Sequence, residues 1–230
     1  MSGPAPSLES QPAKVQAALL RIAALSGAAE DMQQFYSEVH EILQGLLYAE
    51  NCYVALYDAE TDRINFAYYR DSVDLDIPDP RVWEPMGMGQ ARGSTAYVLR
   101  TGKPQLMTPA RHEELEALGE IELVGSLGQD WLGIPLVDDG RPIGVLVVQT
   151  YRPEERYSDE DVDLLVYVAQ HIATALARTR QNDETRQQAA ELAIINRLQR
   201  GLAERIDAAA MYDLVGDTLR DVLDPRMRGR

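Results

Sequence analysis

The segment Ile143 to Val148 is apolar on both alternations of an extended chain. A strand of that kind is covered on both faces and belongs in the middle of a sheet. Trp131 to Val137 reads as its hairpin partner, with Asp139-Gly140 as the turn between them. Gly takes positive φ without a Cβ clash, and Asp tolerates it better than most residues. Pro135 has no N–H to give, which predicts an irregular or unpaired point in the first arm.

The rest of the chain falls around this hairpin. A first helix is predicted over 12–25, with Leu19, Leu20, Ile22 and Ala23 as its apolar stripe and Ser26-Gly27 as its end. A second is predicted over 29–49, where Phe35, Val39, Ile42, Leu43, Leu46 and Leu47 recur at spacings of three and four. Strands at 52–57 and 63–70 form a second hairpin, the latter carrying Phe66, Tyr68 and Tyr69. The connection from Asp71 to Arg92 is rich in Pro and Gly and long enough to be a lid or binding loop. Short helices at 94–100 and 109–119 flank a short strand at 103–107. Ser158, with Asp161 three residues on, marks the start of a long helix that can continue to about Leu202.

In that last helix a wide apolar face (Val162, Leu165, Val168, Ala169, Ile172, Ala173, Leu176) gives way to a polar stretch. A narrow stripe then returns at Leu192, Ile195, Leu198 and Leu202, which suits a coiled-coil or dimer segment. Residues 195–220 resemble 19–44: Tyr212 falls on Tyr36, Asp207 on Asp31 and Leu219 on Leu43. The expected organisation is a disordered stretch at 1–11, a sensory domain at 12–180 and a helical linker at 181–204. The start of a second, truncated copy is expected at 205–230. The fold class is α+β: a central antiparallel sheet, long N- and C-terminal helices on one face, short helices and loops on the other.

Composition narrows the function. The 230 residues carry a formal net charge of −15, which disfavours nucleic acid and anionic lipid as partners. Cys52 is the single cysteine, so no disulfide forms within the chain, which suits a reducing, cytoplasmic setting. No signal peptide is recognisable, and no apolar run approaches the roughly 20 residues that span a bilayer.

Four stretches together resemble the GAF domain of bacterial signalling proteins, of the sensor kinase and cyclic-di-GMP enzyme type. They are Gly89 to Pro104, Trp131 to Leu136, Gly144 to Gln149 and Tyr157 to Val162. The resemblance covers roughly 18–180. It implies a ligand pocket on the sheet face away from the helices, a homodimer through those helices, and an output domain outside this chain. It leaves the ligand, and any cofactor, unspecified. A known catalytic branch reduces free methionine sulfoxide with several cysteines, and Cys52 stands alone. Asp76-Ile77-Pro78 is similar to a phytochrome signature, yet no cysteine lies nearby to attach a bilin. The Asn-Lys-Phe-Asp-Glu signature of the cyclic-nucleotide branch finds no place around Phe35 or Phe66.

His40 and His171 are expected to be partly exposed on flanking helices, and His112 to be a surface residue at a helix start next to the presumed pocket, with a haem ligand there as the alternative. Trp131, Tyr68, Tyr97, Thr95, Trp83 and Arg111 are the candidate ligand-binding residues. They would supply an apolar wall and a few polar groups, or else merely fill the core between sheet and small helices. Trp131 leads this set because it begins a strand beside the mobile loop and has one N–H to donate. The reading is a non-catalytic sensory or regulatory domain that binds a small ligand and signals through its exit helix. A ligand-free dimerisation spacer and a redox enzyme are the alternatives.

Overall fold

The computed structural model describes residues 11–126 and 128–223. Its strands are β1 (Asn51–Asp58), β2 (Arg63–Arg70), β3 (Glu84–Pro85), β4 (Gln105–Met107), β5 (Asp130–Asp138) and β6 (Arg141–Thr150). Its helices are α1 (Gln11–Ala28), α2 (Met32–Gln44), α3 (Ser94–Thr101), α4 (Pro109–Ala117) and α5 (Asp159–Leu223). The strands make one sheet in the order β3-β2-β1-β6-β5-β4, with every neighbouring pair antiparallel. The fold is therefore α+β, as the sequence pattern indicated. By internal contacts the chain divides into two units, one ending at Thr179 and one beginning at Arg180.

The doubly apolar β6 lies inside the sheet between β1 and β5. Val145 and Val147 join the core on one face, Leu146 and Val148 the core on the other. Asp139 (φ 47°) and Gly140 (φ 75°) make the left-handed turn that an Asp-Gly pair favours. The irregularity expected near Pro135 falls just beyond it, between Leu136 and Val137. β4 pairs only with Trp131 to Gly133, so the outer side of Pro135 is open edge, where a residue without an N–H is tolerated.

One face of the sheet is covered by α1, α2 and the first part of α5. Ile22, Phe35, Val39, Leu43, Leu165, Val168 and Ile172 bury against Leu132, Ile134, Leu136, Leu146 and Val148. The Asp31 carboxylate caps α2 by accepting from the Gln33 and Gln34 amides at 2.8 and 3.4 Å. That helix stops at Gln44 rather than Ala49, because Gly45 turns the chain back and its amide bonds the Ile42 carbonyl. Leu46 and Leu47 reach the core from the following turn. α1 passes through Ser26 to Ala28, and Leu20, expected on its buried stripe, is 65% exposed. Ile22, on the same expected stripe, does face the core.

α5 begins as its sequence predicts. The Ser158 hydroxyl accepts from the Asp161 amide at 3.3 Å, and the Asp161 carboxylate accepts from the Ser158 amide at 2.8 Å. The helix runs through Gly201 to Leu223, well beyond Leu202. Leu192, Ile194 and Ile195 are exposed on it. Residues 1–10 of the expected disordered stretch, and 224–230 of the suggested second copy, lie outside the described residues.

His40 corrects the expectation of a surface residue: it is buried, bonding the Tyr68 hydroxyl at 2.8 Å through Nδ1 and the Ala49 carbonyl at 2.5 Å through Nε2. Burial lowers its pKa, outweighing the opposing effect of the Ala49 bond. His171 is half-buried, with Nδ1 3.2 Å from the Ser26 hydroxyl.

Candidate functional site

The other face of the sheet is not filled. Between it and α3, α4 and the loops lies a cavity of about 430 Å³, within the range that holds a small ligand. Its sheet wall is aromatic: Tyr53 from β1, Phe66 and Tyr69 from β2, Trp131 from β5. The Tyr53 and Tyr69 rings stack 5.7 Å apart, and Phe66 meets both edge-on.

A bulge makes that wall. In the ladder Val54 pairs with Tyr68 and Ala55 with Phe66, so Ala67 is the extra residue on β2. Strict alternation would align 64, 66 and 68 on one face. The bulge instead sends Ile64, Phe66 and Tyr69 toward the cavity, and Ala67 and Tyr68 into the helix-side core. Tyr68, expected to line the pocket, is therefore on the wrong side of the sheet, bonded to His40.

Trp131 lines the cavity as expected. Its indole lies across Gly133, two residues on along the same strand; a Cβ at Gly133 would sit 2.2 Å from the ring. Only a residue without a side chain fits beneath the indole. The indole N–H donates to the Tyr53 hydroxyl at 3.2 Å, and that hydroxyl bonds Thr95 Oγ1 at 2.9 Å. Burial pushes the Tyr53 phenol up to about 12, against the lowering effect of the Thr95 and Trp131 bonds. Thr95 is thus in the site as expected.

Three further candidates fall outside the lining. Tyr97 is two residues past Thr95 on α3, so its ring is turned away to pack with Met107, Leu115 and Ile121. Arg111 points outward from α4 and pairs with Glu114 at 2.5 Å. Its neighbour His112, read from sequence as a surface residue, is 8% exposed and lines the cavity. Trp83 is half-buried in the loop before β3, where its carbonyl accepts from Arg63 at 2.5 Å. The loop is anchored from below, since the Asn65 amide donates to the Pro80 and Val82 carbonyls at 2.9 and 2.7 Å.

Polar groups at the cavity come from Arg92, His112, Asp74 and Gln149, of which the sequence reading had set only His112 beside the pocket. The Gln149 amide donates to the Asp71 carboxylate and to the Tyr151 hydroxyl. β5 also connects to the start of α5: the buried Asp130 carboxylate accepts from Arg156 at 2.7 and 2.9 Å and from the Tyr157 amide at 3.0 Å.

Cys52 is 2% exposed and belongs to the helix-side core. Burial pushes its thiol up to about 12, so it is protonated at neutral pH. Among the described residues no group of three His, Cys, Asp or Glu is arranged to hold a metal, and no helix is long and apolar enough to cross a membrane.

The sequence matches the GAF domain family over residues 29–177. Solved structures share the fold. The GAF domain of a phosphoenolpyruvate-protein phosphotransferase from Coxiella burnetii has a TM-score of 0.59 and 19% identity, covering 76% of this chain and 99% of its own. The corresponding domain from Acinetobacter gives 0.55 and 15%, covering 72% and 94%. The free methionine-R-sulfoxide reductase from Neisseria meningitidis, in complex with its substrate, gives 0.57 and 19%, covering 79% and 99%. No curated protein matches the sequence.

Proposed function

The chain belongs to the GAF domain family, a family of signalling and sensory domains, and from that premise we propose that it is a non-catalytic sensor. A small ligand occupies the cavity beside Trp131, and the occupied and empty states differ in the arrangement of α5, which carries the signal to an output domain outside this chain. The single observation behind this reading is the cavity itself, with aromatic side chains from three strands around a few polar groups. A ligand acts on the output only through its different affinity for the two helix arrangements.

The proposed assembly is a homodimer through the terminal helices. The support is α5, whose residues from 181 to 197 are exposed all round yet include Leu192, Ile194 and Ile195. A lone helix of that character is marginal in water, and a partner helix would cover the apolar positions. The one cysteine and the family suit the cytoplasm.

The reductase chemistry of one similar structure is not proposed for this chain. Cys52 is the single cysteine, buried and protonated in the core opposite the cavity, so a sulfenic acid formed there has neither substrate access nor a second thiol.

Thermal denaturation of the full chain against nucleotides, amino acids, organic acids and tetrapyrroles tests the sensor, since anything that binds the folded form raises the melting point. A flat response across the panel leaves a dimerisation spacer. Sedimentation at micromolar concentration tests the assembly, and a monomer rules it out.

A further inference from the structure

The geometry points to a ligand class for this cavity: a small monoanionic carboxylate on a planar apolar body. This rests on the sensor reading above and adds the chemistry that the site selects.

Four observations converge. First, α3 begins at the cavity without a cap. Gly93 is its N-cap residue and has no side chain to offer. Among the described residues the amides of Ser94, Thr95 and Ala96 find no acceptor, and all three residues line the cavity. Ala96 is 1% exposed, so its donor is unmatched in a buried place, which costs free energy unless an acceptor is supplied. The eight-residue helix also presents the positive end of its dipole there.

Second, His112 lines the same cavity at 8% exposure, and its ring makes no hydrogen bond among the described residues. Its ring nitrogens keep accessible surface, so a ligand oxygen in the cavity can reach them.

Third, Arg92 lines the cavity next to Gly93. Its guanidinium touches only the carbonyl of Ala91, at 3.3 Å, and makes no ion pair among the described residues. A guanidinium matches a carboxylate in two parallel bonds.

Fourth, Asp74 shares the lining. One guanidinium and one helix end suit one negative charge, while the Asp74 carboxylate opposes a second. A carboxylate therefore fits better than a phosphate monoester. The aromatic wall of Tyr53, Phe66, Tyr69 and Trp131 accepts a planar body.

The test is calorimetric titration of the full chain with matched probes: indole-3-acetate, indole-3-acetamide, tryptamine, phenylacetate and phenyl phosphate. The carboxylates are expected to bind, with the amide, the amine and the phosphate at least tenfold weaker than their carboxylate counterparts. Gly93→Asp supplies a capping carboxylate to the same amides. The backbone there (φ −63°, ψ 160°) suits a cap, and the new Cβ meets nothing nearer than a Val124 methyl at 3.5 Å. This variant is expected to melt higher than the parent while binding indole-3-acetate at least tenfold more weakly, which separates lost binding from lost fold. Arg92→Gln is expected to weaken binding by a similar factor.

An amide or amine that binds as well as its carboxylate overturns the inference and leaves the sensor reading in place. So does a phosphate that outbinds the carboxylate, or a Gly93→Asp variant of unchanged affinity. If none of the probes binds at millimolar concentration, the inference falls, and the sensor reading then stands or falls on the wider thermal panel.

Discussion

Leu132, Ile134 and Leu136 on β5 enter the helix-side core, each at most 2% exposed, while the intervening Trp131 lines a hollow and Gly133 keeps room for the indole. The same division runs through β1 and β2. Val54 and Cys52 are packed under helices, and Tyr53 and Phe66 face the cavity. One face is closed by a mainly aliphatic core in which Phe35, Tyr36, Tyr68 and His40 are also packed without a gap. The other keeps aromatic rings with polar tips and leaves space between them. Close packing and open space are thus set by alternate residues of the same strands.

The sharpest way to break this comparison is to cut neighbours on β5. Leu132→Ala is expected to cost about 3 kcal/mol in urea unfolding, the usual loss for a large buried aliphatic truncated to Ala. Trp131→Phe is expected to cost about 1 kcal/mol or less, because the ring edge borders empty space. Equal losses would mean the cavity face is as tightly packed as the helix face.

Gly133→Ala drives a methyl into the indole. It is expected to cost about 2 kcal/mol, the middle of the range for overpacking. Indole emission should shift to the red as the ring is pushed toward water, read in a Trp83→Phe background. Tyr53→Phe removes one hydroxyl from the chain Trp131–Tyr53–Thr95 and is expected to cost about 1 kcal/mol, with the emission changed less than in Gly133→Ala.

The smallest effect belongs to the helix side. Burial lowers the pKa of His40 in the fold, so near and below 6.5 the unfolded chain binds more protons than the folded one. Its contribution is complete above 6.5 and is lost as pH falls through the lower folded value. Denaturation midpoints of His40→Gln should therefore decline less than those of the parent on going from neutral to mildly acid solution. Parallel declines would assign the acid sensitivity to other groups.

The fold was legible because its signals are local or periodic. The two-sided apolar run of β6, the Asp139-Gly140 turn, the Gly102 stop (φ 62°) and the Ser158–Asp161 cap each act within a few residues. The site was only partly legible. Trp131 and Thr95 line the cavity as read from sequence, but Tyr69 takes the place expected of Tyr68, since nothing in the run Arg63 to Arg70 marks Ala67 as a bulge. His112 rather than Arg111 faces in, because α4 has a weakly amphipathic sequence and its orientation is set by what packs around it. Tyr97 and Trp83 carry rings whose direction the sequence pattern does not fix. Gln149 and Arg92 gain meaning only from partners far along the chain or from the lack of them. His40 could not be seen as buried without knowing that Tyr68 and Ala49 meet it.

Asp130 and Trp131 are consecutive residues, joined by one rigid peptide unit. The first grips Arg156 and the Tyr157 amide at the foot of the exit helix; the second borders the hollow. The wall of the hollow and the anchorage of the helix thus hang from adjoining residues, and displacing one strains the other.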